Sequence, residues 1–67
     1  MDDPFYGVGT AEMERRIADA RLGKTNTQIA RMRLIDGEYY ADIGAALGRD
    51  RRTVARRMAH IVQKLGG

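Results

Sequence analysis

The sequence predicts an all-α fold, a compact bundle of four short helices that contains a helix-turn-helix at about residues 40-65. Apolar residues recur at the three- and four-residue spacing of amphipathic helices in four successive segments. Each segment is followed by glycine, where a helix would end. No segment alternates apolar and polar residues as a half-buried strand does. A chain of 67 residues is expected to form one domain.

The N-terminal segment, residues 1–9, predicts a flexible arm that precedes a domain spanning residues 10–67. The segment holds the only proline of the chain, two glycines and no helical periodicity. Phe5 and Tyr6 leave two interpretations open, because these aromatic side chains either pack onto the domain or belong to a mobile terminus.

The first helix is predicted over residues 11–22. Thr10 is expected to cap its N-terminus, and Gly23 is expected to close it in a left-handed conformation. Its apolar face consists of Met13, Ile17 and Ala20. This face, together with Leu22, either packs within the chain or forms the surface of a dimer, and the sequence leaves both open.

The second helix begins at a possible capping box, since Thr25 and Gln28 have the required spacing. Asp36 and Gly37 are expected to stop it. Its apolar residues are Ile29, Met32 and Ile35, flanked by Leu34.

The third and fourth helices are expected to lie on either side of a tight turn at Gly48. The third is predicted over residues 40–47, with an inner face made by Ile43, Ala46 and Leu47. The fourth is predicted to start at Asp50, a favourable N-cap, and to end at Gly66-Gly67. Its buried stripe consists of Val54, Met58, Ile61 and Leu65.

Positive charge is concentrated in the C-terminal third of the chain. Residues 1–48 hold six basic and eight acidic side chains, whereas residues 49–67 hold six basic side chains and one acid, Asp50. The asymmetry suggests a polyanionic partner. Composition alone leaves three interpretations open: a nucleic-acid site, a site for a membrane surface or an acidic protein, and a solvated face.

The arginines of the fourth helix favour an anionic partner. With 100° of rotation per residue, Arg52 and Arg56 lie opposite the buried stripe, and Arg51, Thr53 and Arg57 lie on its flanks. A solvated helix face usually mixes charges of both signs, but no acid follows Asp50 in this segment.

The predicted order of these elements is that of a helix-turn-helix: a short helix, a turn and a longer basic helix. Gly44 is expected to let the two helices approach closely, and Gly48 to form the turn. Such a motif places the first turns of its second helix in the major groove of DNA. Ala55 is small enough to allow this approach or to contact a thymine methyl group.

The stretch "RLIDGEYYADIGAALGRDRRTVARRM" resembles the promoter-binding region 4 of bacterial sigma-70-type factors, and the resemblance covers about residues 26–65. It rests on Gly37, Tyr40, Asp42, Ile43, Leu47, Gly48, Thr53 and Val54. The resemblance implies that Arg51, Arg52, Ala55 and Arg56 stand where sigma factors contact bases of the promoter −35 element. Similar domains occur in small phage-encoded regulators and in the DNA-binding ends of serine recombinases.

Four residues depart from the sigma pattern. Tyr39 takes the place of the usual Ser or Thr cap, which weakens the start of the third helix. Arg49 replaces an apolar turn residue, so that its head can reach a phosphate. Arg52 and Arg56 replace the acid and the amide that sigma factors often carry, so −35 specificity is not expected. The other sigma regions are not found in this sequence, and the chain is therefore not expected to open a promoter.

The predicted function is that of a sequence-specific regulator of transcription that binds double-stranded DNA, a repressor of phage or bacterial origin. Its recognition helix, about residues 51–65, would lie in the major groove. The predicted base contacts are Arg51, Arg52, Thr53, Ala55 and Arg56. The predicted phosphate contacts are Tyr39, Arg49, Arg57, His60 and Lys64. A homodimer on two half-sites is one possibility. The alternative function is a small inhibitor that binds RNA polymerase or another protein through the sigma-like domain.

Enzymatic activity, a cofactor and a metal site are not expected. The chain has no cysteine and only one histidine, and no phosphate-binding loop or nucleophile elbow occurs in it. Its apolar runs are shorter than the roughly 20 residues of a membrane span, and the N-terminus is unlike a signal peptide. A cytoplasmic protein with no membrane partner is therefore expected.

Overall fold

The computed structural model describes Phe5 and residues 7–66, and four helices account for most of this part. They are α1 (Thr10–Ala20), α2 (Lys24–Leu34), α3 (Tyr40–Leu47) and α4 (Arg51–Lys64). No strand occurs in this part. The radius of gyration is 11.1 Å, close to the value of about 11 Å expected for a compact chain of this length. The predicted all-α bundle is confirmed.

Helix α1 begins and ends differently from the sequence prediction. Gly9 is its N-cap residue, and no side chain caps it, so the predicted cap by Thr10 is wrong. The left-handed residue at its C-terminus is Arg21, with φ of 50°. Gly23, with φ of 89°, instead precedes α2. The chain thus leaves the helix before it reaches the glycine, and Leu22 in the connection packs against the core.

Helix α2 lies against each of the other three helices. It begins after Gly23 without a side-chain cap, and because Thr25 lies inside its first turn, the predicted capping box is wrong. Ile29 of the predicted stripe is fully buried, and so is Ala30, which the pattern did not select. Because α2 packs against three helices, the face that it buries is wider than the single apolar stripe predicted for it.

Helices α3 and α4 match their predicted bounds closely. Gly48 closes α3 in a left-handed conformation with φ of 68°. Asp50 caps α4, since its Oδ1 accepts a hydrogen bond of 2.8 Å from the backbone N–H of Arg52. On α3 one inner-face assignment is wrong, because Ala46 is exposed and Gly44 is buried in its place. Tyr39 precedes α3 without a capping hydrogen bond, as its departure from the sigma pattern predicts.

The core of the described residues is entirely apolar. Met13 and Ile17 are buried in it, which places the apolar face of α1 inside the chain rather than on a dimer surface. Phe5, from the predicted arm, is also buried. The other buried side chains are Ile29, Ala30, Ile43, Val54, Met58, Ile61 and Leu65.

Some sequence predictions fall on residues that lie outside the described part. These are residues 1–4 of the predicted arm, the alternatives for Tyr6, and Gly67 at the predicted end of the fourth helix. Within the described part, none of the helices has the length and apolar character needed to cross a membrane.

Candidate nucleic-acid interface

Helix α4 turns its arginines away from the core, as the periodicity predicts. Val54, Met58 and Ile61 are buried, whereas Arg52 and Arg56 on the opposite face are exposed. The direction of the outer face of α4 is therefore set by three apolar side chains beneath it.

The ten predicted contact residues differ in their exposure. Of the predicted base contacts, Arg51, Arg52 and Arg56 are exposed, and Thr53 and Ala55 are half-buried. Of the predicted phosphate contacts, four are exposed: Tyr39, Arg49, His60 and Lys64. Arg57 is half-buried. Seven of the ten side chains can thus meet a partner without rearrangement of the core.

A close backbone contact joins α3 to the turn before α4. A Cβ atom at Gly44 would lie 2.5 Å from the carbonyl oxygen of Arg49 and 3.4 Å from the backbone nitrogen of Arg51. The N–H of Arg49 donates to the carbonyl oxygen of Gly44 over 2.8 Å. Only glycine fits this approach, which holds the start of α4 against α3.

Three arginines of α1 and α2 have acidic partners. Glu12 of α1 pairs with Arg15 at 2.6 Å and with Arg16 at 3.0 Å. Hydrogen bonds from these two guanidinium groups lower the pKa of Glu12. Arg31 of α2 pairs with Glu14 of α1 at 2.9 Å. The arginines of α1 and α2 that form these pairs carry compensated charge.

The exposed cations on and beside α4 lack such partners. Across Phe5 and residues 7–66, no ion pair and no hydrogen bond is made by the side chains of Arg49, Arg51, Arg52, Arg56 and Lys64. The only acid nearby in sequence, Asp50, uses its carboxylate as the helix cap. These five cations, the uncompensated set, are therefore open to an anionic partner.

Arg57 makes a contact that the sequence analysis missed. Its Nη1 donates to Oδ1 of Asn26 over 2.9 Å and so joins α4 to the first turn of α2. The two residues are 31 positions apart. One signal was present, since Arg57 lies only about 60° from the buried stripe of α4 and therefore faces a neighbouring helix. Its partner could not be identified without the packing of α2 on α4.

The start of α3 is supported by an arginine rather than by a capping side chain. The guanidinium carbon of Arg33 lies 4.9 Å from the centre of the Tyr40 ring. Nη1 of Arg33 donates to the carbonyl oxygen of Glu38 over 2.9 Å. Tyr40 is thereby packed beside the core, and Tyr39 is left 74% exposed at the helix start.

A shallow pocket of about 200 Å³ lies between α1 and the end of α4. It is lined by Arg16, Asp19, Ala20, Lys64 and Leu65.

Comparisons of the chain with models of known protein families, with curated proteins and with solved structures gave no match. The description of the interface therefore depends on the residues themselves: a basic, outward-facing helix α4, held on α3 at Gly44 and on α2 at Asn26.

Proposed function

We propose that this protein is a sequence-specific regulator of transcription that binds double-stranded DNA through α4. One observation carries the proposal: the first two turns of α4 expose Arg51, Arg52 and Arg56, and none of the three forms an ion pair with an acid of the described residues. Placing like charges side by side costs stability in the free protein. Contact with a polyanion offsets that cost, and the phosphate backbone of DNA supplies such a partner.

The dimensions of α4 suit the major groove. The groove of B-DNA is about 12 Å wide and admits one α-helix. Arg52 and Arg56, on the outer pole, would each direct a guanidinium group at a base edge, where it can donate two parallel hydrogen bonds to O6 and N7 of guanine. Thr53 and Ala55 would lie beside them, with Ala55 small enough to meet a thymine methyl group.

The remaining cations would hold the helix in register. Arg49 in the turn and Lys64 at the end of α4 are exposed at opposite ends of the helix, so they would contact phosphates on either side of the bases that are read. Tyr39 and His60, also exposed, can donate further hydrogen bonds to the backbone. Such contacts position the protein and carry no sequence information.

The likeness to sigma region 4 supports a role at promoters. A small domain on promoter DNA blocks the approach of polymerase, and this would make the protein a repressor, of phage or bacterial origin and acting in the cytoplasm. One recognition helix makes few base contacts, so binding as a homodimer to two half-sites about 34–36 Å apart would raise both affinity and specificity. In the alternative function, the same basic surface binds RNA polymerase or another protein.

The test is selection of bound sequences from a pool of random duplexes, with the mass of each complex measured in solution. The proposal predicts enrichment of a defined site. A palindromic site with a complex of two protein chains would indicate the dimer, and a single half-site with one chain would indicate a monomer. Recovery of unselected sequences, together with salt-insensitive binding, would refute the proposal and favour a protein partner.

A further inference from the structure

We infer that Asn26, which lies outside the basic helix, is a positioning residue for DNA binding because it holds the guanidinium group of Arg57 ready for a phosphate. This inference rests on the proposed function. It concerns a residue of α2, whereas the predicted contacts lie on α4 and the segments before it.

The geometry of the contact supports this role. Oδ1 of Asn26 accepts from Nη1 of Arg57 over 2.9 Å, and both side chains are half-buried. A guanidinium group has five N–H donors in a rigid plane, so one bond orients the whole group and leaves other donors free. Asn26 is neutral, and the positive charge of Arg57 is therefore retained for an external anion.

The position of Arg57 on α4 places it where a phosphate contact is useful. Thr53, Arg57, His60 and Lys64 follow one another along the shoulder of α4, at helical spacing. The bond to Asn26 shows that this shoulder lies beside the start of α2. His60 and Lys64 on the same shoulder are exposed. Arg57 thus belongs to a row of side chains suited to one DNA strand.

Holding Arg57 in advance affects affinity through entropy. A free arginine side chain loses rotamer freedom when it binds a phosphate, whereas a side chain already ordered by the fold loses less. Asn26 would therefore raise affinity for specific and random DNA by similar factors, since a phosphate contact carries no sequence information.

Three variants of α2 separate this role from a purely structural one. Asn26→Asp keeps the accepting oxygen but neutralises Arg57, Asn26→Ala removes the acceptor, and Gln28→Glu adds the same charge as Asn26→Asp at an exposed position of the same helix. Each is measured for helicity, thermal melting and affinity for a random duplex over a range of salt concentrations. Asn26→Ala is also combined with Arg57→Ala.

For Asn26→Asp we expect melting no lower than wild type, affinity reduced about 5- to 10-fold at low salt, and a log–log salt slope smaller by roughly 1. Gln28→Glu should change affinity about 2-fold or less and keep the slope. Asn26→Ala should weaken binding about 3-fold, and it should have no further effect when Arg57 is already alanine.

Two outcomes overturn the inference at different levels. If wild type binds duplex with the expected salt dependence but Asn26→Asp keeps its slope or behaves like Gln28→Glu, Asn26 only braces the fold. If wild type itself shows no salt-dependent binding, the proposed function fails, and this inference fails with it.

Discussion

At Gly44, α3 and the turn before α4 approach so closely that no side chain fits between them. The nearest atom to a Cβ at this position is a backbone oxygen, that of Arg49, which cannot rotate away as a side chain can. The orientation of α4 therefore depends on the absence of one methyl group. This glycine is predictable from the sequence, because two helices that pack closely on either side of a turn require a small residue there.

We predict that Gly44→Ala destabilises the fold. The turn must shift to relieve a contact of 2.5 Å, and overpacking of this kind costs about 1–3 kcal/mol. Thermal unfolding followed by circular dichroism measures the effect. Ala45→Met is a suitable control, because it adds a larger side chain to the exposed neighbouring position and should change stability by about 0.5 kcal/mol or less. Equal melting of Gly44→Ala and wild type would contradict the described approach.

The residues show what sequence patterns predict well and what they do not. Periodicity identified Val54, Met58 and Ile61 as buried, because α4 has a single apolar stripe. Capping rules were correct at Asp50 and wrong at Thr10, since any of several adjacent residues can start a helix and the packing of Phe5 and Val8 also constrains that end. The outward direction of Arg52 and Arg56 followed from the same stripe. DNA binding itself stays a prediction.

At the scale of a single element, the N-terminus of α4 holds both the capping residue Asp50 and the exposed arginines. The macrodipole disfavours arginines at this end, and Arg51 and Arg52 lie in the first turn. Asp50 offsets this disadvantage through its charge and through its bond to the N–H of Arg52. Arg51 and Arg52 therefore do not stabilise the helix through the macrodipole, which is consistent with the proposed role of this end in binding.

We predict that Asp50→Ala lowers stability by about 1 kcal/mol, the usual value of an N-cap side chain. Asp50→Asn keeps an accepting oxygen and removes the charge, so it should melt closer to wild type. Thermal unfolding of both variants separates the hydrogen bond from the charge. Identical melting of the alanine variant and wild type would show that the cap contributes nothing.

We predict that the outer face of α4 contacts bases, whereas Lys64 at its C-terminal end contacts a phosphate. Arg52→Ala is expected to lose about 1–3 kcal/mol on the selected site and less on random duplex, which lowers the specificity ratio. Arg56→Lys should lower the specificity ratio as well, because lysine keeps the positive charge but lacks the paired N–H donors of the guanidinium group. Binding of each variant to both duplexes at one salt concentration measures the ratio.

Lys64→Ala is the matched control for this comparison, since Lys64 is exposed and, within the described residues, makes no ion pair. It should weaken both kinds of binding by similar factors. Arg57→Ala is less suitable, because it also removes the bond to Asn26. If Arg56→Lys binds the selected site like wild type while Lys64→Ala alone lowers the ratio, the helix meets DNA in another orientation.

At the scale of the whole molecule, a small apolar core supports a strongly charged surface. A domain of about 60–70 residues rarely gains more than about 3–5 kcal/mol from its core. The loss of any buried side chain is therefore a large fraction of the free energy of unfolding, and repulsion among the arginines reduces that free energy further. The long-range contacts between helices could not be predicted from local patterns, as the burial of Ala30 and the Asn26–Arg57 bond show.

We predict that Val54→Ala or Ile61→Ala unfolds a large part of the population. Both side chains are fully buried, and their truncation costs on the order of 1–4 kcal/mol. Helicity and melting temperature measure the loss, with Gln63→Ala on the exposed face of α4 as control. Full helicity with unchanged melting in both core variants would mean that the buried stripe is assigned wrongly.

The central claim is that the cations on and beside α4 bind duplex DNA. Its most direct test is the affinity of the wild-type protein for a random duplex as the salt concentration is varied. If Arg49, Arg57 and Lys64 each neutralise a phosphate, and Arg51 on the flank of α4 neutralises a fourth besides its base contact, the log–log slope should be roughly −3 to −4 for one protein chain. A slope near zero would contradict the claim.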